Sequence, residues 1–126
     1  MLHKPRGKSR IKFHWKHHKI ARKNGNCDPD YKLKVWQNET KLGVVAMLLH
    51  TPICYISVPF TVTVLLYASV YLILHRKTHQ HVDFFKKWAP WHYEHHMGRN
   101  QNKNWCVVCP FMDYVMGTRE KWLDKV

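Results

Sequence analysis

Acidic side chains are the scarcest chemistry in this chain. Asp and Glu together number 8 against 21 Lys and Arg, and the 126 residues carry a formal charge of +13 with histidine neutral. Such an excess suits an anionic partner, either a nucleic acid or membrane head groups. Length is also short: it allows one domain, excludes a multidomain enzyme and leaves little room for a large water-soluble core. The four cysteines (Cys27, Cys54, Cys106, Cys109) do not make the disulfide framework of a small secreted domain. The opening MLHKPRGKSRIK is basic but has no apolar run behind it, unlike a secretory signal. Repeats and low-complexity tracts are absent.

Charge is missing altogether from one segment. Residues 42–74, LGVVAMLLHTPICYISVPFTVTVLLYASVYLIL, contain no Asp, Glu, Lys or Arg. A bilayer-spanning helix needs about 20 apolar residues, so 33 are more than one straight crossing and slightly short of two. Pro52 and Pro59 weaken a continuous helix near the middle. The expectation is a membrane hairpin with arms of roughly 42–57 and 60–74, Pro59 opening the second arm where its missing N–H costs nothing and that arm free to run on into the HxxxH box. Each arm reaches roughly 25 Å at about 1.5 Å per residue. The competing reading is a buried helical pair in a soluble protein, which so short a chain could hardly cover.

The flanks fit a membrane. Residues 1–41 hold twelve Lys and Arg against three Asp and Glu, and residues 75–126 hold nine against five. An even number of passes puts both basic flanks, and both termini, on one side, and the positive-inside rule makes that side cytoplasmic. The sequon Asn38-Glu39-Thr40 would then stay unmodified.

Histidine is abundant where acid is not: 11 residues in three groups and a few singles. His14, His17 and His18 form an HxxHH box, His75 and His79 an HxxxH box at the end of the apolar run, and His92, His95 and His96 a second HxxHH box. Spacings of i, i+3 and i+4 put the imidazoles of a box on one helical face. Neutral imidazole is a common ligand for iron, zinc and copper, and eight or nine exceed one coordination shell, so two metals are implied. His3 lies upstream of the first box; His81 points elsewhere; His50, inside the hairpin, is expected to be a hydrogen-bonded core histidine. The zinc-protease pattern HExxH is not matched. Glu94 should leave the ligand face, either accepting a ring N–H or simply solvated. Cys106-Val-Val-Cys109 is half a zinc site, a redox pair or a packed reduced pair; there is no second CxxC.

With these boxes in this order, the chain resembles the integral-membrane fatty acid hydroxylase / sterol desaturase family, from about residue 3 to residue 122. The tail after the last box is similar too, with Asn104, Trp105, Cys106, Asp113, Gly117, Thr118 and Arg119 at the matching positions. The resemblance implies one fatty acid hydroxylase-like domain over 1–126, mostly α, a membrane helical hairpin (about 42–74) under a cytoplasmic histidine-rich helical cap. It implies two iron ions, with zinc possible in a purified form, held by His3, His14, His17, His18, His75, His79, His92, His95 and His96 as the catalytic metal ligands. The implied reaction hydroxylates or desaturates a fatty acyl or sterol-like lipid chain, with dioxygen and an external electron donor protein as partners. Breaking an unactivated C–H bond is beyond acid–base side chains, so a redox metal must carry it. Lys and Arg beside the boxes would hold an anionic lipid head or the membrane surface.

One departure from the family pattern stands out. Members usually have one or two membrane helices, and a further histidine in a motif like HRxxLH, upstream of the position of His3. The expectation is an N-terminally truncated chain in which one metal position lacks a ligand. Two other classes compete: a non-catalytic metal-binding membrane relative, and a nucleic-acid binder suggested by the charge and by Phe13, Trp15, Trp88 and Trp91. The latter leaves the uncharged run and the box spacing unexplained, so no nucleic-acid partner is expected. Helices are expected over about 10–23, 82–97 with Pro90 interrupting so that a new helix begins at Trp91, and shortly after Pro110, with a loop over 24–30.

Overall fold

The computed structural model describes residues 12–123, and all regular structure within them is helical. His3 lies outside the described residues. The first helix, α1 (Lys12–Lys23), carries the first box and ends in Arg22 and Lys23, which complement the negative end of its dipole. Gly25 (φ 63°) and Asn26 (φ 74°) adopt the left-handed conformation that terminates it, and the Asn26 N–H returns to the Ala21 carbonyl at 2.7 Å. Where a loop was expected through residue 30, a short helix α2 (Pro29–Leu33) starts early. Asp28 caps it, its side chain accepting from the Asp30 N–H, and Pro29 supplies a preset first turn.

The apolar segment forms two packed helices of unequal reach. Helix α3 (Asn38–His50) rises only about 20 Å over 13 residues. It gives way to a 3-10 turn, Thr51–Tyr55, because Pro52 has no N–H for the α ladder. Ser57 caps α4 (Val58–Gln80), with Pro59 in its first turn, and α4 continues without a break through the second box. Its 23 residues reach about 34 Å, enough for a hydrocarbon core of about 30 Å. Two packed helices thus stand where the hairpin was expected, but of unequal length: among the described residues α4 is long and apolar enough to cross a membrane and the shorter α3 packs on it. Gly43 permits their close approach, since a Cβ there would meet Leu72 Cδ2 at 2.9 Å.

After His81 the chain turns into α5 (Val82–Trp88) and then α6 (Pro90–Met97), which carries the third box. Pro90 opens α6 rather than preceding it, one residue earlier than expected, and occupies the first turn where no N–H is needed. The tail contains α7 (Phe111–Val115).

Burial is inverted relative to a water-soluble domain. The buried apolar residues among those described are Ala21, Tyr31 and Val107. The interior is instead polar: seven histidines (His17, His18, His75, His79, His92, His95, His96) with Asn26, Asp28, Thr61, Thr78, Glu94, Asn104 and Asp113. Meanwhile Leu42, Leu48, Leu49, Phe60, Leu66 and Ile73 of α3 and α4 are exposed. His50 is exposed as well, its Nδ1 donating to the Ala46 carbonyl at 2.7 Å, so it is not a core histidine.

Candidate metal centre

Three helices converge their boxes on one interior. Helix α1 contributes His14, His17 and His18, α4 contributes His75 and His79, and α6 contributes His92, His95 and His96. Two groups result. His17, His75, His79 and His96 offer ligand nitrogens within 4.8 Å of one another, and all four residues are buried. His14, His18 and His95 form the second group by the same measure. His92 adjoins the first, its Nε2 lying 3.3 Å from His79 Nε2. The groups abut through His18 and His96, whose rings stack at 4.1 Å between centroids. His81 is exposed at the end of α4 and belongs to neither.

The outer nitrogens of five rings are spoken for. His17 Nδ1 donates to Asp28 Oδ2 at 2.6 Å, His75 Nδ1 to Glu39 Oε2 at 2.8 Å and His14 Nδ1 to Glu39 Oε1 at 3.2 Å. His79 Nδ1 donates to the Asn26 carbonyl and His95 Nδ1 to the Lys103 carbonyl, both at 2.7 Å. Carboxylates and carbonyls only accept, so each of these rings carries its proton on Nδ1 and, when neutral, turns a bare Nε2 inward. Yet His17 Nε2 lies 3.0 Å from His79 Nε2, which lies 3.3 Å from His75 Nε2. Two lone pairs facing each other at that distance repel; they do not bond. A metal ion with bonds of about 2.1 Å places its ligand nitrogens roughly 3–4 Å apart. These nitrogens have the tautomer and spacing to surround a cation. In the second group His14 Nε2 and His18 Nε2 stand 3.0 Å apart. His96 is fully buried with neither ring nitrogen hydrogen-bonded, and His18 Nδ1 and His92 Nδ1 have no partner among the described residues.

Electrostatics favour the neutral form, which ligation requires, at His18, His92, His95 and His96. Burial, and then repulsion from His95, His14, His17 and His75, lowers His18 from 6.5 to about 2. Burial lowers His95 to about 4 although the Lys103 carbonyl opposes it. His92 and His96 are held well below the usual value by burial first and neighbouring imidazoles second. For Glu39, burial works against the carboxylate, but His75, His14 and His17 together hold it well below the usual range. It is therefore ionised beside the rings.

Several of these supports carried no recognisable motif. Glu39 sits inside the sequon, Asp28 in a turn, and Tyr31, whose hydroxyl donates to Glu39, in α2. Glu94 corrects both readings made of it. It neither accepts from a ring nor faces solvent: Arg119 Nη1 donates to its Oε2 at 2.5 Å, and the Trp122 and Leu123 N–H groups donate to its Oε1 at 2.9 and 3.2 Å. It clamps the tail onto α6. Asp113 anchors the same tail, accepting from the Trp105 and Cys106 N–H groups at 2.9 Å and the Thr118 hydroxyl at 2.7 Å. Cys106 and Cys109 are free thiols outside both histidine groups, and Cys109 is exposed.

A cavity of about 410 Å³ opens onto both histidine groups. His14, His75, His92, His95, His96 and Glu39 form its polar end. Phe13, Leu42, Gly43, Ala46, Tyr71 and Val107 line the rest. Trp105 closes one side with its ring 5.4 Å from that of His95. The site thus joins a cation-ready polar end to an apolar channel along α3 and α4. No family model, curated protein or solved structure matches the chain.

Proposed function

We propose that the protein is a membrane-bound non-haem di-iron oxidoreductase that hydroxylates or desaturates a lipid chain, with dioxygen and an external electron donor protein. The observation that carries this reading is the cavity: its apolar walls lead from the exposed hairpin face to two groups of inward-facing imidazole nitrogens. Redox metal ions held by His14, His18 and His95, and by His17, His75, His79 and His96, would supply the C–H chemistry that no side chain here can perform. The chain's own residues do the rest. Glu39, Asp28 and the Asn26 and Lys103 carbonyls hold the Nδ1 protons and so aim the rings. Leu42, Ala46, Tyr71 and Val107 exclude water and hold an acyl or sterol-like chain against the polar end. Helix α4 anchors the protein in the bilayer, and the basic flanks keep the histidine cap on the cytoplasmic face.

Lipid profiling tests this directly. Cells expressing the chain should accumulate an oxygenated or newly unsaturated lipid that cells expressing His95→Ala do not. Metal-loaded, folded protein with an unchanged lipid profile would instead favour a non-catalytic metal-binding membrane protein.

A further inference from the structure

We propose that Glu39 couples the two histidine groups, serving as one positioning residue for both. This rests on the reading that the groups hold metal ions. Its Oε1 accepts from His14 Nδ1 at 3.2 Å and its Oε2 from His75 Nδ1 at 2.8 Å. His14 belongs to the three-histidine group on α1 and His75 to the four-histidine group on α4. The other ring acceptors serve one group each: Asp28 and the Asn26 carbonyl the four-histidine group, the Lys103 carbonyl the other. The Tyr31 hydroxyl donates to Glu39 Oε2, the oxygen His75 uses, and lies 3.4 Å from His75 Nδ1.

The chemistry demands a carboxylate. Two ring N–H groups arriving on two different oxygens need a group that only accepts. A glutamine in its place has one accepting oxygen and one donating NH₂, so it can serve His14 or His75 but not both. A single negative charge also lies against both sites, so a cation in either one sharpens the carboxylate's placement for the other. Filling one group therefore orients a ring of the second through a shared rigid contact.

Cobalt(II) is the probe, because its visible absorption reports imidazole coordination without turnover. Detergent-purified wild type should take up two cobalt ions per chain in one steep transition. Glu39→Gln should split the titration, leaving one ion near wild-type affinity and weakening the other about 10–100-fold. Glu39→Asp keeps two accepting oxygens and should restore joint filling in part. A Glu39→Gln protein that fills both positions in one wild-type transition overturns the coupling. Should Glu39→Gln not fold, Glu39→Asp decides: it keeps two accepting oxygens but draws both back from His14 and His75, so both ions should weaken together. Weakening of one ion alone overturns the proposal. Folded wild type that binds no cobalt refutes the metal-site reading itself, which separates the two failures.

Discussion

At the scale of single residues, scarcity turned out to mark importance. Of the eight acidic residues, Asp28, Glu94 and Asp113 are buried and Glu39 is 12% exposed, and each holds identifiable donors. Asp28 uses one oxygen for the α2 cap and the other for His17. Asp28→Asn can keep the cap but then turns an NH₂ toward His17 Nδ1. It should lower metal affinity about 10–100-fold with the helices intact, as read by competition with a chelator. Acid should act on the imidazoles as well. Folded His95 titrates near 4 and His18 near 2, whereas an unfolded imidazole titrates near 6.5. Between those values the unfolded chain binds more protons, so stability of the metal-free protein should fall as pH drops from about 6.5 toward 4 and recover as it rises. Thermal melts across that range check the sign; melting that is flat or improves with acid contradicts it. The histidine boxes were legible because helix periodicity alone puts i, i+3 and i+4 on one face. Their acceptors were not, since Glu39 meets His14 across 25 residues and Asp28 meets His17 from beyond a turn. No local pattern records such pairings.

At the scale of elements, helix identity was readable and helix length only in part: the second arm's run into the HxxxH box was foreseen, the shortening of the first was not. The uncharged run and its prolines marked two helices, but Pro52 shortens the first to 13 residues while the second runs on to Gln80. Hydropathy stops at Leu74; the backbone ladder does not, because α4 continues to bury His75 and His79. The short end of α6 depends on one close approach. A Cβ at Gly98 would meet the Glu94 carbonyl at 2.4 Å and Trp122 Nε1 at 2.9 Å, and backbone cannot yield as a side chain does. Gly98 also receives Arg22 from α1, whose Nε donates to the His96 carbonyl at 2.7 Å. Gly98→Ala should therefore destabilise the protein by about 1–3 kcal/mol. At Gly43 the clashing atoms are the flexible end of Leu72, so Gly43→Ala should cost less. Paired denaturation curves test the order, and Gly43→Ala proving the more harmful would contradict it.

At the scale of the whole molecule, the polar interior and apolar exterior imply two environments. A buried imidazole without a partner costs about 1–3 kcal/mol, and His96, His18 and His92 each keep at least one unpartnered nitrogen. Metal binding would offset that cost, so ligation and folding of the cap should be linked. Chelation should lower the melting temperature and expose the cap to protease; a cap equally resistant with and without metal would break the link. The apolar exterior includes one helix long and apolar enough to cross a membrane. Single-cysteine variants retaining Cys109 or Cys54 place the two ends of the molecule. In membranes opened only on the cytoplasmic side, Cys109 should react with an impermeant maleimide and Cys54, in the turn at the far end of α3, should not. Equal labelling would contradict the inserted hairpin. The expected labelling pattern would make the net charge of +13 an orientation signal at a membrane.

The most direct measurement is the iron content of anaerobically purified protein beside its His95→Ala and His50→Ala variants. His95 lies in the three-histidine group, while His50 bonds to its own helix at the hairpin tip. Two irons per chain are expected in wild type and in His50→Ala, with the metal lost from His95→Ala. Folded wild-type protein without metal, or equal loss from both variants, would contradict a metal centre built from these histidines.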